Sequence, residues 1–171
     1  MSSLAVCSTG KSGPTLSVDA ARLRAIAAAC PVTGQEMLPL EQAVGRITAT
    51  PIMAAHALPP FDNSAMDGYA LRLSDLTGEG PWHLPVSVRI AAGDTRALTL
   101  PPGTTARIFT GAPMPDGPDT VLMQEDCTAD GEHVIIPPGI KPGANRRRAG
   151  EDIEKGSVIL RAGQRLRPQD V

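Results

Sequence analysis

Three turn-rich stretches carry the side chains best suited to chemistry. The first reads Phe61-Asp62-Asn63-Ser64-Ala65-Met66-Asp67-Gly68. Its two carboxylates, Asp62 and Asp67, could hold a divalent cation through hard oxygen ligands with waters retained. The same residues could instead close an Asx turn and cap the turn before Gly68. The second stretch is Thr110-Gly111-Ala112-Pro113, where a hydroxyl leaving a strand can donate to an anionic ligand or to nearby backbone. The third is Arg146-Arg147-Arg148 followed by Gly150-Glu151-Asp152. Its guanidinium forks can grip an oxyanion bidentately beside acids able to bind a cation, or the cluster can neutralise itself in solvent. His56, His83 and His133 stand at no metal-ligand spacing, and no Ser/His/Asp or Cys/His nucleophilic set can be assembled.

Turns of this kind need stiff frames to hold them. With 17 Gly and 17 Pro among 171 residues, the chain favours short strands joined by defined turns over long helices. Only Phe61, Tyr69, Trp82 and Phe109 are aromatic, so Val, Ile, Leu, Ala and Met must fill the core. Residues 1–17 read as a flexible tail. Ser17 is placed to cap a helix from Val18 to about Cys30, with Asp19 in its first turn and Pro31 as its stop. Leu23, Ile26, Ala27 and Cys30 recur at helical spacing and predict one apolar stripe that packs. A helical turn is expected at 40–44, before Gly45. Strands are predicted at 46–53 (an edge, interrupted by Pro51), 69–73, 86–90, 105–110, 120–125, 133–136 and 157–161, with 133–136 pairing to 120–125.

The fold class expected is mainly β with some α, an α+β arrangement. An irregular β-rich linker domain would be built from two segments, 18–53 and 150–171, with a β-rich second domain, 54–149, inserted between them. The chain stops at Arg167-Pro168-Gln169-Asp170-Val171 without a terminal signal, where Asp170 could open another helix. The expectation is a truncated chain.

Charge and cysteine usage narrow the function classes. A formal net charge of -2 argues against a general nucleic-acid binder. Cys7, Cys30 and Cys127 are far apart and odd in number, which fits neither a disulfide framework nor a zinc site and points to a reducing, cytoplasmic setting. No stretch approaches the roughly 18 apolar residues of a membrane span, so no membrane partner is expected. Gly10-Lys11-Ser12 lacks the upstream Gly and strand of a phosphate-binding P-loop. The methionines read as gap filling in an aromatic-poor interior.

Taken together, three motifs resemble one family: 61–70 (FDNSAMDGYA), then Arg107-Ile108-Phe109-Thr110-Gly111-Ala112-Pro113-Met114-Pro115, then Gly150-Glu151-Asp152-Ile153. They are similar, in order and spacing, to the molybdopterin molybdenumtransferases, the MoeA family whose animal relative is the E domain of gephyrin. The resemblance covers about residues 18–171. It implies a transferase of molybdenum cofactor biosynthesis that inserts molybdenum from molybdate into adenylylated molybdopterin and releases AMP, with Mg2+ or another divalent cation involved. It implies the linker and inserted second domains of that family here, with the pterin-binding and C-terminal domains lying beyond residue 171 and this piece inactive alone.

By motif position, the resemblance carries catalytic roles onto Asp67, Thr110 and Asp152. It carries metal binding onto Asp67 and Asp152, and anion contact onto Arg147 and Ser64. Ala149 stands where an Arg is frequent in the family, which leaves Arg147 as the stronger anion candidate and Arg146 without a role. A homodimer and a molybdopterin adenylyltransferase as pathway partner are implied as well. The alternative is a non-catalytic binding or scaffold module of the same fold.

Overall fold

The computed structural model describes residues 16–171. The predicted 1–17 tail lies almost wholly outside the described residues. The chain divides into two units, Met1–Gln42 and Ala43–Val171.

In the first unit, α1 (Val18–Ala28) begins where predicted. The Ser17 side chain accepts a hydrogen bond from the Ala20 N–H at 3.2 Å, which satisfies one of the free donors of the first turn. The helix ends two residues before the expected Cys30. Its apolar stripe does not pack within this unit: Leu23 and Ile26 are each 62% exposed, and no residue of the helix is buried. The physical reason is local. The other regular element described in this unit is a single 3-10 turn, Leu40–Gln42, too small to cover a helix face.

Ten strands are described in the second unit: β1 (Ile52–Met53), β2 (Asn63–Ser64), β3 (Gly68–Leu71), β4 (Trp82–Ile90), β5 (Thr105–Ile108), β6 (Thr120–Met123), β7 (Thr128–Asp130), β8 (His133–Ile136), β9 (Arg146–Arg147) and β10 (Val158–Leu160). Six form one sheet in the order β6-β3-β5-β4-β8-β7, antiparallel except for the parallel β4–β5 pair. The architecture is mainly β with some α, as the composition predicts.

Around β3 and β6 the sheet is buried on both faces, while β7 and alternate residues of β4 are exposed, and the period-2 alternation of a strand divides its side chains between the faces. On β3, Ala70 joins Ile90, Leu100, Ala106, Ile108, Ala112 and Val121, while Tyr69 and Leu71 join Leu122, Val134 and Ile136. On β4 the register shifts between Val86 and Val88, so these two valines reach different clusters.

The expected pairing of 133–136 with 120–125 is corrected here. β8 pairs with β4 and with β7, and β6 pairs with β3. The tight turn at Gly131, with φ of 61°, folds β7 back on β8 and takes the edge that β6 was expected to fill.

The predicted 46–53 strand is mostly irregular. Its end forms β1 against β10, and upstream an Ile47–Arg165 bridge and a Thr48 hydroxyl donating to the Arg161 carbonyl at 2.6 Å tie it to 157–166. Pro51 explains the interruption, since it offers no N–H to a ladder.

One close approach sets the position of the residues described next. A Cβ on Gly68 would lie 1.7 Å from the Leu122 carbonyl oxygen, so β3 and β6 meet there at a distance that no side chain allows.

Candidate functional site

The two residues of β2 are the hub of the site. On one side β2 pairs with β9, Asn63 opposite Arg147 and Ser64 opposite Arg146. On the other, the Ser64 N–H donates to the Ala112 carbonyl at 3.0 Å, the Gly111 N–H to the Ser64 carbonyl at 2.8 Å, and the Met114 N–H to the Asp62 carbonyl at 2.9 Å. The Ala65 N–H donates to the Asn145 carbonyl at 2.9 Å. The three polar turns, far apart in the sequence, are therefore stitched together through main-chain bonds. Gly111 and Asn145 supply the positive φ, 78° and 54°, that two of the turns require.

Ser64 does not present a hydroxyl to a ligand, as anion contact would need. It is 1% exposed, and its Oγ donates to the Met66 carbonyl at 2.5 Å and accepts from the Met66 N–H at 3.3 Å. The side chain closes its own turn and sets the direction in which Asp67 leaves it.

Asp67 and Thr110 meet. The Asp67 Oδ1 accepts from the Thr110 N–H at 2.8 Å and from its hydroxyl at 2.7 Å, on an exposed edge. These donors hold the Asp67 carboxyl below the ordinary aspartate range, the backbone N–H most and the hydroxyl next, with the Arg107 charge adding to them against a small desolvation cost. The Oδ2 atom takes no hydrogen bond from the described residues.

Arg147 and Asp152 meet as well. An Arg147 guanidinium nitrogen donates to the Asp152 Oδ2, and its Nε lies 3.8 Å from Glu151. Asp152 also lines an open cleft of about 390 Å³ with Ile153, Glu154, Ser157, Val158 and Ile159. Thr110 and Arg147 reach the same short strand through the Gly111–Ser64 bond and the Asn63–Arg147 pairing, and among the described residues no hydrogen bond joins the Asp67–Thr110 pair to the Arg147–Asp152 pair. Among the described residues, no group of three or more His, Cys, Asp or Glu could by itself hold a metal ion.

Asp62 does something the sequence reading did not anticipate. It neither joins Asp67 at a cation nor closes an Asx turn; the turn is closed by the Asn63 amide donating to the Phe61 carbonyl at 3.2 Å. The Asp62 Oδ2 accepts from the Arg146 Nε at 2.9 Å and from its Nη2, and the Oδ1 accepts from the Ala149 N–H at 2.8 Å. The Ala149 N–H contributes most to lowering the Asp62 carboxyl, burial opposes it, and the Arg146 bond and charge follow. Arg146, which had no role, is thereby the tie between the first turn and the third. The only sequence signal for this pair was three arginines in a row, more positive charge than the two nearby acids can neutralise.

A second arrangement was also missed. Phe109 is flanked by two guanidinium groups, Arg89 and Arg107, each 4.5 Å from its ring centre. The alternation of Arg107 and Phe109 along one strand direction would have placed them on one face.

Cys127 is no nucleophile: burial first and the Asp126 charge second push its thiol up to about 11, which keeps it protonated. No described helix is long and apolar enough to cross a membrane.

Residues 16–171 match the family described as the MoeA N-terminal region, domains I and II. The chain is 41% identical over 154 residues to the molybdopterin molybdenumtransferase of Haemophilus influenzae, covering 90% of this chain and 38% of that one. It is 42% identical over 134 residues to molybdopterin molybdenumtransferase 2 of Mycobacterium tuberculosis, covering 77% and 33%. It superposes with a TM-score of 0.72 and 37% identity on the crystal structure of the molybdopterin biosynthesis moeA protein from Pyrococcus horikoshii OT3, over 79% of this chain and 36% of that one. The chain spans 33–38% of the length of these curated relatives.

Proposed function

The chain belongs to the family of the MoeA N-terminal region, and from that premise we propose that it supplies part of the active site of a molybdenum insertase. The reaction places molybdenum from molybdate into adenylylated molybdopterin and releases AMP as the phosphoanhydride breaks. One observation carries this reading: β2 binds the 110–114 turn and β9 to the 61–67 turn, so that Thr110 and Arg147, which hold Asp67 and Asp152, lie on either side of one short strand.

Each group has a task that its surroundings suit. Molybdate and the nucleotide phosphate are both anions, so a site for both needs cations and donors to offset their repulsion. Arg147 presents a planar fork, with Asp152 holding its orientation. Thr110 holds the Asp67 carboxylate through two donors, which fixes it ionised and aimed.

The donor set fits a divalent cation of the Mg2+ type. Asp67 and Asp152 each keep one carboxylate oxygen that takes no hydrogen bond from the described residues. Both are hard ligands, and two carboxylates with waters and substrate oxygens are the usual complement of Mg2+. When bound, such an ion would disperse the negative charge that develops on the departing phosphate.

The reading carries with it a homodimer, a molybdopterin adenylyltransferase as the source of the substrate, a cytoplasmic location and further domains that bind the pterin. It also carries the division into 18–53 plus 150–171 around an inserted 54–149. The β1–β10 ladder and the Ile47–Arg165 bridge support the 46–53 and 157–166 parts of that division.

The test uses the full-length protein. Asp67→Asn and Asp152→Asn should each lower molybdenum insertion by at least about 100-fold, the scale of losing a preorganised charged group in an active site. Circular dichroism should show an unchanged fold. Insertion at the wild-type rate by either variant removes that residue from the assignment, and wild-type rates in both overturn it.

A further inference from the structure

We propose that Arg89, Arg107 and Phe109 form a subsite for a tetrahedral oxyanion, a molybdate or a phosphate monoester, beside Asp67 and Thr110. The inference rests on reading the Asp67–Thr110 edge as part of an oxyanion-handling site.

Arg89 and Arg107 are register partners across the parallel β4–β5 pair. Like charges on neighbouring strands destabilise a sheet. Both guanidinium groups lie 4.5 Å from the centre of the Phe109 ring, and Arg107 lies 5.2 Å from that of Tyr69. The negative faces of the rings gather the two cations but do not neutralise them.

Arg107 is fixed in place. One of its nitrogens donates to the Gly68 carbonyl at 2.8 Å and to the Ile108 carbonyl at 3.2 Å, and another to the Gln124 side-chain oxygen. The exposed Arg89 guanidinium donates to nothing among the described residues. Among the described residues neither arginine is in a salt bridge; Arg107 acts on Asp67 only as a nearby charge, and three neighbouring acids bond to other groups. Asp94 is held by Arg96 at 2.5 Å, Glu125 accepts from Gln124 at 3.1 Å, and Asp67 receives the two Thr110 donors.

Two guanidinium groups, one of them fixed, face a single nearby carboxylate charge, that of Asp67, and the surplus positive charge suits a dianion with several acceptor oxygens. Arg107 donates to the carbonyl of Gly68, the residue after Asp67, so an anion held there lies close to the Asp67–Thr110 pair. Arg89 did not stand out in the sequence because it lies inside a strand, away from the turns, and Arg107 entered only as the first residue of the second motif.

The experiment titrates the purified chain separately with sodium molybdate, AMP and adenosine, following amide shifts by NMR and heat by calorimetry. Molybdate, AMP or both should bind, and adenosine, which lacks the phosphate, should not. Arg89→Gln should weaken the bound anion by at least about tenfold, the scale of one charge-assisted contact. Arg89→Lys, which keeps the charge and loses the fork, should fall between.

Binding of molybdate alone identifies the metal oxyanion as the ligand, binding of AMP alone the nucleotide phosphate, and binding of both a shared subsite. No binding of either anion, adenosine binding equal to AMP, or wild-type affinity in folded Arg89→Gln each overturns the subsite. Unchanged anion affinity in Arg89→Gln beside lost insertion in Asp67→Asn would discard the subsite and keep the proposed function. Weakened anion affinity in Arg89→Gln beside wild-type insertion in both Asp67→Asn and Asp152→Asn would discard the proposed site assignment and keep the subsite.

Discussion

Replacing Asp62 by alanine should loosen the junction between the first and third turns, and the size of the effect can be worked from its contacts. The change removes the acceptor for the Ala149 N–H at 2.8 Å and for the Arg146 Nε at 2.9 Å, along with the Arg146 Nη2 bond. The Arg146 and Asp62 side chains are 31% and 30% exposed, so solvent screens the pair only in part. A charge-assisted hydrogen bond contributes about 1.5–3 kcal/mol, reduced where water reaches it. An orphaned backbone N–H adds a cost of about 1 kcal/mol or more. The sum is a loss of about 2–3 kcal/mol, or roughly 6–15 °C in melting temperature for a domain of ordinary size. Asp62→Asn keeps a neutral acceptor and should lose about half as much.

The pH dependence has a definite sign. The Asp62 carboxyl titrates lower in the folded chain than in the unfolded one. Its contribution is therefore full above the unfolded value of roughly 4 and is lost as the pH falls through the lower folded value. Urea unfolding of the wild type and of Asp62→Ala at pH 7 and at steps down to pH 3 should show two curves that approach each other as the acid range is entered. A gap below about 1 kcal/mol at pH 7, or one that stays constant down to pH 3, would refute the reasoning.

Two further outcomes follow from contacts already given. Gly68→Ala places a Cβ 1.7 Å from the Leu122 carbonyl oxygen and must part β3 from β6. It should cost more than about 4–5 kcal/mol and abolish a cooperative thermal transition, whereas Gly34→Ala, which meets nothing within 4 Å, should shift stability by no more than about 0.5 kcal/mol. A Gly68→Ala protein that melts near the wild-type temperature contradicts the close approach. Thr110→Val keeps the backbone donor and deletes the hydroxyl, so the Asp67 carboxyl should titrate higher than in the wild type yet still below the ordinary range. Carboxyl-carbon NMR reads this directly, and an unmoved titration would mean that the hydroxyl bond is not made in solution.

What the sequence revealed and what it hid divide along physical lines. The longer strands announced themselves because alternation is a local property: the VSVRI and TARI runs show it in their own residues. β2, β7 and β9 did not, because a strand of two or three residues is defined by what lies beside it. Two of those three build the site. The motif positions drew attention to Asp67, Thr110, Arg147 and Asp152 but not to which of them bond to which. The Thr110 donors reach Asp67 across 43 positions, and Asp62 pairs with Arg146 across 84. No spacing rule spans such distances; only the topology brings those groups together. The helix is the opposite case: its cap and start were legible and its end came two residues early, while the expected burial of its stripe was not met within its own unit, because burial depends on what an element is given to pack against.

The brevity of β2 has a consequence for how this region can change. Its grip on both flanking turns runs through main-chain atoms, which every amino acid shares, so the clamp is indifferent to most side chains but bound to the residue count. Adding or deleting one residue between Phe61 and Gly68 would move either Asp62 out of step with Arg146 and Ala149 or Asp67 out of step with Thr110. Chains built on this plan should therefore keep the residue count along 61–68, together with Gly68, which the close approach to Leu122 requires.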